Sequence, residues 1–181
     1  VDILRSSNST IFILSIAYFS RLEPGAMEQP YDYDRNGVSA LLYAIIEQHS
    51  NSQSRDWLMQ RSNVLQETKS VQQFNLTFSA IPRFTGKDLL TLPTGIISNL
   101  QHAAHGFFVR HYTLDRLTRT WWLLQWPSDN RDAYVQTVEG LFNAAEMNEL
   151  VALYGALPLL PWPQEWKLRT AEGIRSNIGT V

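Results

Sequence analysis

The sequence predicts an all-α domain: about seven or eight amphipathic helices in an antiparallel array, a geometry compatible with an α-α superhelix. Three observations carry that prediction. Apolar residues recur at three- and four-residue spacing through most of the chain. The one stretch with strand-like content, Phe107-Phe108-Val109, has no second run to pair with. Short polar or proline-containing breaks separate the periodic stretches. A length of 181 residues suits one domain, and 44% hydrophobic with 18% charged residues suits a chain that builds a core. No repeat period of roughly 20–50 residues is visible, so a solenoid does not follow from the sequence.

In order along the chain, Leu41, Leu42, Ile45 and Ile46 mark a first helix from about Val38 to His49, preceded by Asn36-Gly37. Trp57, Leu58, Val64 and Leu65 mark a second, after the polar break Asn51-Ser52-Gln53-Ser54. Ser70-Val71-Gln72-Gln73 fits a capping box, and the helix it opens carries Phe74, Phe78 and Ile81 and is expected to end near Pro82. Leu92-Pro93-Thr94 starts a helix toward Ala104 that Gly106 stops. Thr113 then caps a helix with Leu114, Leu117, Trp121 and Leu124 on one side and Trp122, Leu123 and Trp126 around the rest, so that helix is buried on several sides. Tyr134, Val138, Leu141 and Phe142 form the cleanest stripe, and Leu150, Val151 and Tyr154 belong to a shorter helix closed by Pro158. Trp162 and Trp166 flank the stiff linker Leu159-Leu160-Pro161-Trp162-Pro163 and are expected to clamp it to a last helix starting near Gln164.

The ends read differently. Ile11–Phe19 is an apolar run too short for a membrane span, which needs ~20 residues. Arg5 lies upstream of it, but no small-x-small cleavage site follows, so a secretory leader is not expected and a cytoplasmic location is. Met27 directly precedes the first clean helical pattern, and residues 1–26 read as upstream sequence. Residues 1–33 are therefore expected to be a poorly ordered extension and 34–181 the helical domain. That domain is expected to be truncated at its C-terminal end, because Thr170–Ile178 is still in helical register close to Val181.

Composition excludes several functions. Fifteen Lys and Arg against seventeen Asp and Glu leave a formal charge of −2, which argues against a nucleic-acid partner. With no Cys, disulfides, thiolate-ligated metals and thiol nucleophiles are excluded. Glycine-rich phosphate loops, G-x-S-x-G elbows and H-E-x-x-H pairs are all missing. His102 and His105 are three apart with His111 beyond Gly106, but Asp115 is the only nearby acid, and surface or capping roles fit them better than a metal. No cofactor and no metal are expected. Trp121, Trp122 and Trp126 fit core packing, with an aromatic wall around a ligand as the alternative. Arg119 lies inside this Trp-rich helix, where Trp122 is placed to stack on it. Arg169, Glu172 and Arg175 are spaced three apart. By spacing alone they read as a self-paired solvated face worth ~0.2–0.5 kcal/mol per pair. The alternative is a carboxylate that orients two arginines toward an anion.

Three stretches bear on that choice. They are Phe78–Lys87 (FSAIPRFTGK), Glu149–Pro161 (ELVALYGALPLLP) and Arg169–Asn177 (RTAEGIRSN). In this order and spacing, with Leu114–Thr120 between them, the chain resembles the EboA domain family over roughly residues 36–181. It departs from the family at His105-Gly106-Phe107-Phe108, where members carry a Pro-Gly-Trp-like segment, and members continue past the last of these helices. The resemblance implies a helical protein encoded beside a prenyltransferase-like membrane protein, hydrolase-like proteins and a sugar-phosphate-cyclase-like enzyme. Such clusters make or export specialised metabolites, including precursors of a cyanobacterial sunscreen pigment. Arg83, Lys87, Arg119, Glu149, Arg169, Glu172, Arg175 and Asn177 match its motif positions. With Trp121 and Trp122 as an apolar wall, these are the candidate ligand-binding residues. The expected function is a non-catalytic accessory protein that binds an anionic or prenylated intermediate or docks a pathway enzyme. The rival is an enzyme of the same pathway using Glu149 or Glu172, flanked by arginines, as general base. A pure interaction module with an exposed apolar docking face is a third expectation.

Overall fold

The computed structural model describes residues 31–176. Within them the chain forms eight α-helices: α1 (Arg35–His49), α2 (Ser52–Thr68), α3 (Val71–Thr85), α4 (Thr94–Ala103), α5 (Leu114–Leu123), α6 (Arg131–Ala144), α7 (Met147–Ala156) and α8 (Lys167–Arg175). Two 3-10 turns, Leu157–Leu159 and Pro163–Trp166, join α7 to α8. Among the described residues, extended pairing is confined to an isolated antiparallel bridge between Leu89 and Thr113. The chain is thus all-α, as its periodicity predicts. The apolar run Ile11–Phe19 lies outside the described residues.

Four of the eight helices begin where a short polar side chain accepts an otherwise unpaired backbone N–H, a contact worth ~1 kcal/mol. Asn51 accepts from the Ser54 amide at 2.8 Å, Ser70 from Gln73 at 3.3 Å and Asn130 from Ala133 at 3.0 Å. Glu146 and Glu149 form a reciprocal capping box at the start of α7. α1 starts earlier than its apolar stripe suggests, because Asp34 accepts from Gly37 at 3.1 Å and fixes the first turn at Arg35.

The helix at the centre is α5. Every residue from Leu114 to Leu123 except Arg116 is buried, and α1, α3 and α7 all pack against it. α2 pairs with α3, α4 lies against α1, and α8 returns onto α7 and the second 3-10 turn. Two side chains fasten the beginning of the domain through long-range bonds. Tyr33 donates its hydroxyl to the Leu159 carbonyl at 2.7 Å, and Arg35 donates to the Leu124 and Trp126 carbonyls at the C-terminal end of α5. A cation there also meets the negative end of the helix dipole. The linker clamp has its expected form: Trp166, fully buried beside Phe142 and Tyr134, donates its indole N–H to Pro161 at 2.8 Å.

One element differs from the sequence expectation. α3 does not stop at Pro82 but runs a turn further to Thr85, with Gly86 at φ 78° as its left-handed end. Proline removes one helical donor and leaves the carbonyl four residues back unsatisfied; here another helix supplies the missing donor, as described below. Phe107-Phe108-Val109 forms no strand; Phe107 and Val109 are instead buried plugs on an irregular segment between α4 and α5.

Close approach of α8 to α7 depends on Gly173, whose absent Cβ would lie 2.9 Å from the Tyr154 ring. Tyr154 is itself held against Phe142, with ring centroids 5.3 Å apart, and has little room to yield. Gly173→Ala is expected to cost about 1–3 kcal/mol by overpacking, read as a lower urea midpoint; an unchanged midpoint would show that α8 is loosely seated. Burial raises the phenol pKa of Tyr134 well above its ordinary value and raises that of Tyr112. The folded pKa exceeds the unfolded one, so this contribution is complete below pH ~10 and is lost as pH rises toward the folded value. The melting temperature should fall above pH ~10, and less steeply in Tyr134→Phe than in the wild type; parallel alkaline profiles would count against this assignment.

Candidate functional site

A buried guanidinium joins α3, α5 and α7. Arg119 is only 3% exposed. Because Pro82 has no N–H, the Phe78 carbonyl lacks its helical donor, and Arg119 Nε donates to it at 3.1 Å. Nη1 donates to Asp115 Oδ2 at 3.0 Å, Nη2 lies 3.6 Å from Glu149 Oε1, and the guanidinium carbon sits 5.4 Å from the Phe78 ring centroid. Burial pushes the arginine pKa down, and Asp115, Glu149 and Glu146 oppose that shift. Glu149 also accepts the Glu146 backbone N–H through Oε2 at 3.1 Å. Its two oxygens therefore serve the arginine and the helix cap.

A second ionic cluster fastens α8. Arg169 donates from Nε to both oxygens of Glu139 at 3.1 Å and from Nη2 to Glu139 at 2.5 Å and Asn143 at 2.7 Å. Nη1 donates to Glu172 at 2.9 Å, and the guanidinium lies over Phe142 at 4.8 Å from the ring centroid. Hydrogen bonding to Glu139, more than any other cause, raises the pKa of Arg169. The expected Arg169–Glu172 pair is present. Its stronger partner, Glu139, lies thirty residues away in sequence, beyond what helical spacing can reveal.

The other candidates are dispersed. Arg83 and Lys87 are exposed at the C-terminal end of α3, and Arg175 is exposed at the end of α8. Trp122 is fully buried and donates its indole N–H to the Phe74 carbonyl at 3.0 Å, while Trp121 packs on Tyr43 with centroids 5.2 Å apart. Both indoles face protein. Asn177 lies outside the described residues. His102 Nδ1 lies 2.7 Å from the Ser98 carbonyl, and among the described residues no group of three or more His, Asp or Glu is placed to hold a metal.

Sequence reasoning missed a cleft of about 630 Å³ between α3 and α6. Asn75 lies on the α3 wall, Trp126 and Asp129 on the α5–α6 connection, Gln136 and Gly140 on α6, and Lys69 at the α2–α3 junction. Lys69 adopts φ 47°, ψ 37°, a left-handed conformation that glycine adopts most readily. Gly140 shows the reverse: it sits inside α6, where glycine costs about 1 kcal/mol relative to alanine, and nothing lies within 4 Å of where its Cβ would be. Asn75 Oδ1 is buried and accepts no hydrogen bond. The one sequence-level signal was a glycine interrupting an otherwise regular helix.

Within the described residues the domain is all-helical, with a sealed ionic centre and a polar-rimmed cleft. The model of one family, described as metabolite traffic protein EboA, matches residues 38–181. The chain belongs to the EboA family. No curated protein and no solved structure matches it significantly. No helix among the described residues is long and apolar enough to cross a membrane.

Removing Arg119 strands a buried carboxylate, because Asp115 is 4% exposed and its Oδ1 already has no partner. Arg119→Met should cost about 3–5 kcal/mol. The double variant Arg119→Met, Asp115→Leu should recover much of that loss in urea unfolding. Equal losses in the single and double variants would mean that the arginine acts through packing rather than charge.

Proposed function

We propose that this chain is a cytoplasmic, non-catalytic accessory protein of metabolite traffic that binds an anionic or prenylated intermediate or docks a pathway enzyme. Membership of the EboA family supports the broad role. One observation carries the non-catalytic part: each glutamate suited by sequence to act as general base already has partners. Glu149 serves Arg119 and the α7 cap, and Glu172 accepts from Arg169 on an open face, with its side chain 51% exposed. A general base needs a free lone pair within reach of a bound substrate in a water-poor site. Arg83, Lys87 and Arg175, by contrast, are exposed cations that make no ion pair among the described residues, and they are available to an anion or an acidic partner. Docking gains support from the outer face of α8, where Leu168 is 78% and Ile174 45% exposed.

Native mass spectrometry of the chain after exposure to an extract of its source cells tests this reading. A retained small mass is expected, undiminished in Glu172→Gln and reduced in Arg175→Ala at an unchanged melting temperature. Conversion of the retained compound by the wild type but not by Glu149→Gln or Glu172→Gln would replace this reading with the enzymatic one.

A further inference from the structure

The α2–α3 pair presents a row of apolar side chains to solvent along the seam between its helices. Trp57, Arg61 and Val64 recur at four- and three-residue spacing on α2 and share one side. Leu76, Ala80, Arg83 and Phe84 do the same on α3. Trp57 and Phe84 stack with ring centroids 4.0 Å apart and planes 10° from parallel, which sets the two rows side by side. Leu76 is 57% and Phe84 40% exposed, and Trp57, Val64 and Ala80 are half-buried. Cations stand among them. Arg61 lies over the Trp57 ring, 5.9 Å from its centroid, and among the described residues its buried Nε finds no acceptor. Arg83 and Lys87 are exposed and make no ion pair among the described residues. Acidic groups avoid this face. α3 contains none, and Asp56 lies toward α1, within electrostatic reach of Tyr43. Glu67 and Asp88 stand at opposite ends of the pair, each within two residues of a lysine. Residues 51–90 hold five Lys and Arg against three Asp and Glu in a chain of net charge −2, so positive charge is gathered here.

We infer that this face rests on the surface of an anionic lipid bilayer, with α2 and α3 lying in its plane. The inference adds a location to the accessory role and does not depend on it. Helices that lie on membranes combine Trp, Phe and Leu with Lys and Arg, the apolar groups entering at headgroup depth. Arginine and lysine suit that boundary because their stems cover apolar neighbours while their charged heads reach lipid phosphates. Arg61 fits this description: its guanidinium is packed on an indole and lacks an anion. A second copy of the chain is disfavoured as the occupant, because it would set Arg61, Arg83 and Lys87 against cations like themselves. An acidic protein is a weaker fit. The binding energy of a protein partner concentrates in side chains seated in pockets, and the Trp57–Phe84 stack fills the seam where such a pocket would form. A bilayer needs no pocket.

The probes are vesicles of phosphatidylcholine alone and of phosphatidylcholine mixed equally with phosphatidylglycerol. The wild type should co-sediment with the mixed vesicles at least tenfold more strongly than with the neutral ones, and added salt should weaken that binding. Each cation near an anionic surface contributes roughly fivefold in affinity, so Arg83→Glu with Lys87→Glu should lose at least tenfold. Leu76→Gln should also bind more weakly. These positions are exposed, and the melting temperatures should stay at the wild-type value. Trp57 supplies a direct readout, because the other five tryptophans are buried. Brominated lipids in the mixed vesicles should quench the fluorescence of the wild type, and Trp57→Phe, which keeps an aromatic stack on Phe84, should lose most of that quenching. Binding that survives all these substitutions, or quenching that persists without Trp57, would overturn the assignment to this face. Equal binding to both vesicles would overturn the requirement for anionic lipid. Absence of vesicle binding would overturn the membrane partner; if the wild type then bound a polyglutamate peptide and the charge-reversed variant did not, the face would belong to an acidic protein. A small mass retained from cell extract is read separately and is unaffected by any of these results.

Discussion

A guanidinium removed from water must regain its hydrogen bonds from protein, and the arrangement of this domain follows from how Arg119 does so. Its fixed planar donors must reach a carbonyl on α3 and a carboxylate on its own helix, with a second carboxylate on α7 3.6 Å away. Apolar packing tolerates small slides between helices; this cluster does not. The proline in α3 completes the arrangement. A residue that usually ends a helix here exposes the acceptor that a neighbouring helix needs, and α3 continues because that acceptor is satisfied.

The ionic cluster of α8 follows a different logic. Arg169 is partly wetted and gathers Glu139, Asn143 and Glu172 around one planar group, so it positions the last helix at a smaller desolvation cost than Arg119 bears. Its contact with Phe142 continues the ionic grip into the aromatic group of Tyr134, Tyr154 and Trp166. Ionic and aromatic contacts thus meet on one side of the domain, while the cleft lies on another face of α6.

Most of the fold was legible in the sequence, because helices are written in local spacing. The stripes of α1, α5 and α6, the caps at Asn51 and Ser70 and the break at Gly106 all depend on residues within a turn or two of one another. The position of Arg119 inside a Trp-rich helix already marked it as unusual. Contacts between helices were not legible. Helical spacing cannot place Glu139 beside Arg169 or the Phe78 carbonyl beside Arg119, at separations of 30 and 41 residues. Trp121 and Trp122 could be read as a wall or a core, and only packing assigns them to the core. The cleft depends on a backbone angle at Lys69 and on empty space beside Gly140, neither of which a sequence states.

The fastenings at Tyr33 and Arg35 bear on how the chain reaches this fold as it is synthesised. Arg35 waits for a carbonyl 89 residues later, and Tyr33 for one 126 residues later. A ribosome adding about 5–20 residues per second makes α1 many seconds before its partner helix. During that interval Val38, Leu42, Ile45 and Ile46 have no central helix to bury them. The first of the described helices is therefore among the last to be secured, and its apolar stripe stays open to chaperones while the rest of the domain is made.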